Sequence, residues 1–266
     1  MSQLALALGD GAMVAKRNLI KIKRVPEVLI WTTMSPIMFV LLFAYVFGSA
    51  IDVQGVSYRE FLIAGVFAQT IVFGSTFTGA GLAEDMTKGI IDRFRSLPMA
   101  RSAVLVGRTA SDIFYNSTSL VVMSLAGLIV GWRVRTSIVE AIGGFLLLLL
   151  FSYAISWIMA YVGLKVSSVE VVNNAAFMFI MPMTFISNAF VPVDGLPGPL
   201  KAFADWNPVS SVAQGAREAF GNTGGMAMPD AWSLQNPVLY TLIWVALILA
   251  VFVPLSVRQY KKAAAR

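Results

Sequence analysis

The sequence predicts an all-α polytopic membrane protein. Six transmembrane helices are expected, with an N-terminal amphipathic interfacial helix and a re-entrant outer helical segment before the last span. Three observations predict this. Of the 266 residues, 58% are hydrophobic and 13% charged, against about 45–50% apolar and about 25% charged in soluble domains. A globule of this size cannot enclose that surplus. Six segments approach the roughly 20 apolar residues that cover about 30 Å of hydrocarbon at about 1.5 Å per residue. Finally, lysine and arginine fall unevenly on the two sides of those segments.

Residues 1–27 form a cytoplasmic segment. Wound at about 100° per residue, residues 13–25 put Lys16, Arg17, Lys21, Lys23 and Arg24 on one side. Val14, Ala15, Leu19, Ile22 and Val25 fall on the other, with Met13 and Ile20 out of pattern. Such a basic amphipathic helix suits the anionic cytoplasmic leaflet, and it also serves as a plain topology signal. Residues 28–258 hold the spans, at 28–47, 61–82, 104–130, 138–163, 169–190 and 238–257. Gly48-Ser49-Ala50 has the small residues of a cleavage site, but the run before it is too long for a signal peptide and five spans follow. Residues 259–266 are a basic cytoplasmic tail.

With a cytoplasmic N-terminus, fifteen of the 20 Lys and Arg residues lie inside and five outside, namely Arg59, Arg133, Arg135, Lys201 and Arg217. Both termini are then cytoplasmic. Trp132, Trp206 and Trp232 fall outside the spans on the outer side, where aromatic rings favour the interface.

Two connections are informative. The cytoplasmic stretch 84–101 carries both signs of charge, in Glu84, Asp85, Asp92, Arg93 and Arg95. It reads as a short helix whose Ile90, Phe94 and Leu97 share a face, ended by Pro98. A polar loop needs no apolar stripe, so the stripe is either a docking surface or packs on neighbouring helices. The outer connection 191–237 opens with prolines and glycines. Residues 200–220 are helical in period but interrupted at Asn207-Pro208, which fits two short helices dipping into the outer leaflet.

The chain has no histidine and no cysteine, which excludes Cys/His zinc sites, thiol nucleophiles and Ser-His-Asp triads. It has no phosphate loop and no nucleophile elbow. No metal and no catalytic residue is expected. Asp112, the carboxylate nearest a span interior, lies one helical turn from Arg108, as in a local ion pair. Three stripes pair apolar residues with a few hydrogen-bonding groups. One holds Ser35, Met38 and Tyr45, a second Gln69, Phe73 and Thr76. The third holds Asn173, Phe177, Met181, Thr184 and Asn188. Such faces suit a path for a bulky amphipathic molecule, and they serve equally as helix-packing glue.

The order of these features completes a pattern: Ser35-Pro36 and the run 42–48, then residues 58–69, then Gly89 to Met99, Pro192, Trp206, Asn207-Pro208-Val209 and a charged tail. It resembles the type-2 ABC transporter permeases, most closely the daunorubicin/doxorubicin-resistance permease subfamily. The resemblance implies a six-span membrane subunit of an ATP-driven exporter in the bacterial inner (plasma) membrane. Two permease subunits, as a homodimer or with a close paralogue, would assemble with two copies of a separate ATPase that binds ATP and Mg. It implies that residues 84–98 form the helix coupling the spans to the ATPase, that the N-terminal amphipathic helix also touches the ATPase, and that the first, second and fifth spans border the path. Beyond lipid and these subunits it implies no nucleic-acid partner. The resemblance implies outward transport, and the Phe- and Met-rich stripes favour a hydrophobic drug, antibiotic or lipid as the substrate. A glycan-precursor exporter, an ATPase-independent carrier or channel, and a membrane anchor or assembly factor are the alternatives.

Overall fold

The computed structural model describes residues 34, 36–48, 51, 53, 55–90, 103–166 and 168–263. The N-terminal amphipathic segment, Ser35, and the loop residues Asp92, Arg93, Phe94, Arg95, Leu97 and Pro98 lie outside the described residues. Within them the chain is helical, with no strand.

The elements in chain order are α1 (Pro36–Val46), α2 (Tyr58–Thr87), α3 (Ala103–Val130), α4 (Ile138–Lys165) and α5 (Val169–Phe185). The short α6 (Gly198–Asp205), α7 (Pro208–Phe220) and α8 (Trp232–Gln235) precede α9 (Pro237–Ala263). Among the described residues, four helices are long and apolar enough to cross a membrane: α2, α3, α4 and α9. The apolar α1 and α5 are shorter. At about 1.5 Å per residue, the 17 residues of α5 reach about 26 Å. The fifth apolar stretch thus ends as helix at Phe185 rather than at residue 190, because residues 186–190 turn back toward α7.

Local chemistry sets the helix ends. Ser57 caps α2 by accepting the Glu60 amide at 3.3 Å. Ser137 and Glu140 close a reciprocal capping box on α4, and Ser168 caps α5. Asn207 Oδ1 accepts the Val209 amide at 2.9 Å and Pro208 follows as the first helical residue, so α6 and α7 must be separate. The Asn207 Nδ2 also donates to Met183 O at 2.6 Å and Ile186 O at 2.8 Å, tying this break to the end of α5.

Helix α2 runs through the middle of the bundle, and nearly every residue of its segment Tyr58–Gly74 is buried. It breaks at Ser75, whose Oγ donates to Ile71 O (2.8 Å) in its own helix and lies 3.0 Å from Ser152 O of α4. Side-chain back-bonding of this kind bends helices. The second segment, Thr76–Thr87, crosses α4 where Gly79 meets Gly163. A Cβ on Gly163 would overlap the Gly79 backbone. Helix α4 packs against α2, α3, α7 and α9. The core on the α7 side is aromatic: Trp132 lies edge-on to Phe67 (5.4 Å) and Phe220 (5.3 Å).

Two sequence expectations change here. Trp132 is 2% exposed and donates its indole N–H to Asn222 Oδ1 at 2.7 Å, so it is a core residue and not an interfacial anchor. Trp206 and Trp232 do stay exposed, flanking Tyr240. Glu84 and Asp85 belong to the last turn of α2 rather than to the following loop. Glu84 pairs with Lys88 at 2.6 Å, Asp85 is buried, and Gly89 in the left-handed region (φ 63°) ends the helix just before Ile90.

Candidate functional site

A cavity of about 390 Å³ lies beside the break in α2. Helix α2 supplies Gln69, Thr70, Phe73, Gly74, Thr76 and Phe77. Pro36 and Phe39 come from α1, Tyr115 and Ser119 from α3, Phe177 and Met181 from α5. Counting from Tyr58 at about 1.5 Å per residue, Gln69 sits about 16 Å along α2, near the middle of a membrane-sized helix. Phe177 is exposed and marks the mouth. Phe77 and Tyr115 form one wall as an edge-to-face pair at 4.9 Å. Phe39 forms another, held by Phe43, Phe185 and Phe190.

The polar groups here are sparse and uncharged. Gln69 is 7% exposed, and its amide forms no hydrogen bond to any described residue. Thr70 Oγ1 is enclosed without a partner. Thr76, by contrast, donates to Phe73 O at 2.7 Å. Among the described lining residues none is charged.

Of the residues singled out by sequence, Gln69, Phe73, Thr76, Phe177 and Met181 come together around this cavity. Met38 and Tyr45 instead lie on the exposed face of α1, with Arg59 stacked 4.9 Å over the Tyr45 ring. Asn173 is exposed on α5. Thr184 donates within its own helix to Ile180 O at 2.9 Å. Asn188 is held by α7, its amide N–H donating to Ser210 Oγ at 3.0 Å.

Three parts of this region were not drawn from the sequence. The first is the α3 wall. Asp112, Tyr115, Asn116 and Ser119 recur at helical spacing, a polar stripe that would have marked it. The second is a polar seam joining α2, α3 and α4. Asn116 Nδ2 donates to Ser152 Oγ at 2.6 Å, and Ser152 Oγ lies 3.2 Å from Ser75 Oγ. Asp112, 5% exposed, accepts from the hydroxyls of Thr78 and Ser156. It is not in the local ion pair expected from spacing, because Arg108 is directed across to α2, donating to Phe77 O at 3.0 Å. A carboxylate is thus enclosed within a span after all.

The third is Arg217. Counted from sequence only as one of five outer cations, it is fully buried. Its Nε donates to Phe61 O at 2.9 Å, and its Nη2 to Asn188 O at 2.5 Å and Ala189 O at 3.1 Å. The guanidinium lies 3.7 Å over the Phe61 ring. One side chain thereby pins α7 to α2 and to the turn after α5.

The geometry is that of a half-open, largely aromatic cavity in a helical membrane bundle, beside a polar seam at the break in α2. Comparison with known proteins gives it a family. Residues 12–220 match the ABC-2 type transporter family. The chain is 33% identical over 245 residues, 92% of its length and 83% of the relative's, to the daunorubicin resistance ABC transporter permease protein DrrB1 of Streptomyces coeruleorubidus. It is 25% identical over 230 residues (86% and 79%) to the probable doxorubicin resistance ABC transporter permease protein DrrC of Mycobacterium tuberculosis. It is also 26% identical over 227 residues (79% and 73%) to the putative transport permease ycf38 of Porphyra purpurea. The chain belongs to the ABC-2 type transporter family: it is an integral membrane permease subunit of an ABC transporter, and the ATPase activity of such a transporter resides in a partner subunit.

Proposed function

We propose that this permease exports a hydrophobic drug, antibiotic or lipid across the bacterial plasma membrane, driven by ATP hydrolysis on a separate subunit. The observation that carries this reading is the cavity between α1, α2, α3 and α5, at mid-span, in a chain of the ABC-2 family. Relatives named for daunorubicin and doxorubicin resistance support the substrate class. Six crossings follow if α1, extended by the apolar residues before it, and α5 with the turn after it also span. Both termini are then cytoplasmic, and α6 and α7 form the re-entrant outer segment. Two permease subunits, identical or paralogous, would pair with two ATPase subunits that hold ATP and Mg.

In this reading the ATPase grips residues 84–98 and the N-terminal amphipathic helix. Ile90, Phe94 and Leu97 act as an apolar knob, with Arg93, Arg95 and Glu84 setting its orientation. Closure of the ATPase pulls on the end of α2, and the cavity beside Ser75 changes its side of access. ATP supplies the differential free energy that selects between the two states. A Phe94→Asp variant of the reconstituted complex should lose substrate-stimulated ATP hydrolysis while its spans stay folded. Unchanged stimulation overturns the coupling role.

A second reading, transport without an ATPase, draws on Asp112, since an enclosed carboxylate in a span is a frequent mark of ion coupling. Solute uptake by the permease alone in liposomes, driven by a proton gradient and indifferent to ATP, would favour it over export by an ABC complex.

A further inference from the structure

We propose that Gln69 is the specificity-determining residue of the cavity, and that the ligand it selects is an uncharged aromatic compound with a hydrogen-bond donor and acceptor adjacent on one edge, such as a lactam or hydroxyketone. The inference rests on the export reading above and narrows its substrate class, excluding phosphorylated lipids and glycan carriers.

Three observations carry it. First, the walls are ring-rich, with Phe39, Phe73, Phe77, Tyr115 and Phe177 around one space, and aromatic faces and edges favour another ring system. About 390 Å³ lies toward the small end of the about 300–1,000 Å³ typical of small-molecule sites. Second, no described lining residue is charged. A phosphate brought to this depth would lose its water and meet no cationic side chain among the described lining residues, a large penalty at low dielectric. A neutral ring incurs none of it.

Third, Gln69 is more than nine-tenths buried, lines the cavity, and leaves its amide without a described partner. With no protein partner, the amide opens onto the cavity and is left to whatever fills it. A glutamine amide presents N–H donors and a carbonyl acceptor side by side. Its complement is a group that offers an acceptor and a donor side by side. Binding would exchange water in the cavity for a two-point contact, and a ligand lacking either group would leave one half of the amide unpaired. Phe73, one turn along the same helix face, supplies the apolar surface next to that contact.

The test uses the permease in nanodiscs and three probes: phenanthridinone, a neutral fluorescent tricyclic lactam; its N-methyl derivative, in which a methyl group replaces the donor hydrogen; and short-chain phosphatidic acid as a competitor. Affinity is read from probe fluorescence anisotropy. The wild-type protein should bind the lactam about five- to tenfold more tightly than the N-methyl compound, the size expected of one buried hydrogen bond. Gln69→Met should abolish that preference by weakening the lactam, while Phe73→Leu should weaken both compounds and keep the preference. Phosphatidic acid should not displace the lactam. Equal wild-type affinity for the two compounds, a preference that survives Gln69→Met, or displacement by phosphatidic acid would each overturn the inference. The wild-type comparison needs no variant to fold. ATP-driven accumulation in inverted vesicles is measured separately. A lactam preference without accumulation upholds the site and counts against export, and accumulation without preference does the reverse.

Discussion

Replacing Arg217 with methionine should lower stability by about 2–6 kcal/mol. The guanidinium makes three hydrogen bonds to carbonyl oxygens, at 2.9, 2.5 and 3.1 Å, and charge-assisted bonds of this kind contribute about 1.5–3 kcal/mol each. Against this stands the cost of holding a guanidinium away from water, several kcal/mol per buried ion. Methionine fills most of the stem's volume and removes that cost. It leaves the acceptors behind. Phe61 O lies within α2 and retains the helix amide four residues on. Asn188 O and Ala189 O lie in the turn after α5 and have no such partner. Two orphaned acceptors at about 1–3 kcal/mol each give the net figure.

The assay is thermal unfolding of the purified permease in mild detergent. At about 2–4 °C per kcal/mol for a chain near this size, the Arg217→Met transition should fall by roughly 4–24 °C. Arg217→Lys should fall as well, since one ammonium head cannot serve acceptors on both α2 and the turn after α5. If burial of the charge outweighed its bonds, methionine would melt at or above the wild type and lysine below methionine. That order would refute the reasoning.

Further perturbations follow from the packing. Gly163→Ala should cost about 1–3 kcal/mol in the same melt, because its Cβ would meet the Gly79 backbone. Gly143→Ala, in the same helix but facing open space, should gain about 0.5–1 kcal/mol. Asp112→Asn keeps an acceptor for Thr78 and Ser156 and should stay within about 1 kcal/mol of wild type, while Asp112→Leu should cost about 1–3 kcal/mol by stranding the Thr78 hydroxyl. Trp132→Phe should cost about 2–4 kcal/mol, since it opens space between Phe67 and Phe220 and leaves Asn222 Oδ1 without its donor.

Legibility differed from element to element for physical reasons. The limits of α3 and α4 were readable because hydropathy changes abruptly at Gly131 and Ser137, where a left-handed glycine and a capping box lie. The α6–α7 break was readable because a cap and a first-turn proline are adjacent in sequence. Helix α2 begins three residues before the apolar run at 61–82. Tyr58 and Glu60 look like loop residues, but Tyr58 donates to Phe190 O at 3.0 Å and Glu60 pairs with Arg135 at 2.8 Å. Both partners are remote in sequence. The role of Arg217 was hidden for the same reason: its partners are carbonyls, which carry no sequence signature. Within the site, the Gln69–Phe73–Thr76 and Phe177–Met181 stripes were legible from period alone. Which members of a stripe face the cavity was not, because Thr184 and Asn188 share the period of Met181 yet bond to their own helix and to α7.

The bundle is held by different chemistry on the two sides of Ser75. Before the break, α2 is packed by interlocking apolar and aromatic side chains and tied by Arg217. Contacts of that kind resist gradual deformation, because a dense core forfeits dispersion contacts with any small gap. From the break onward the partners include Ser75, Thr78, Asn116, Ser152 and Ser156. Hydroxyls rotate, each bond contributes only about 0.5–1.5 kcal/mol net, and a seam of several donors and acceptors can exchange partners without stranding any of them for long. Asn116 Oδ1, enclosed with no partner and set against Gly74, is an acceptor left over for such an exchange. Relative motion of the two α2 segments therefore has its least costly route at Ser75, and Gly74 and Thr76, its immediate neighbours, are cavity residues. A pull on the Thr87 end of α2 would reach the cavity before it disturbed the aromatic core.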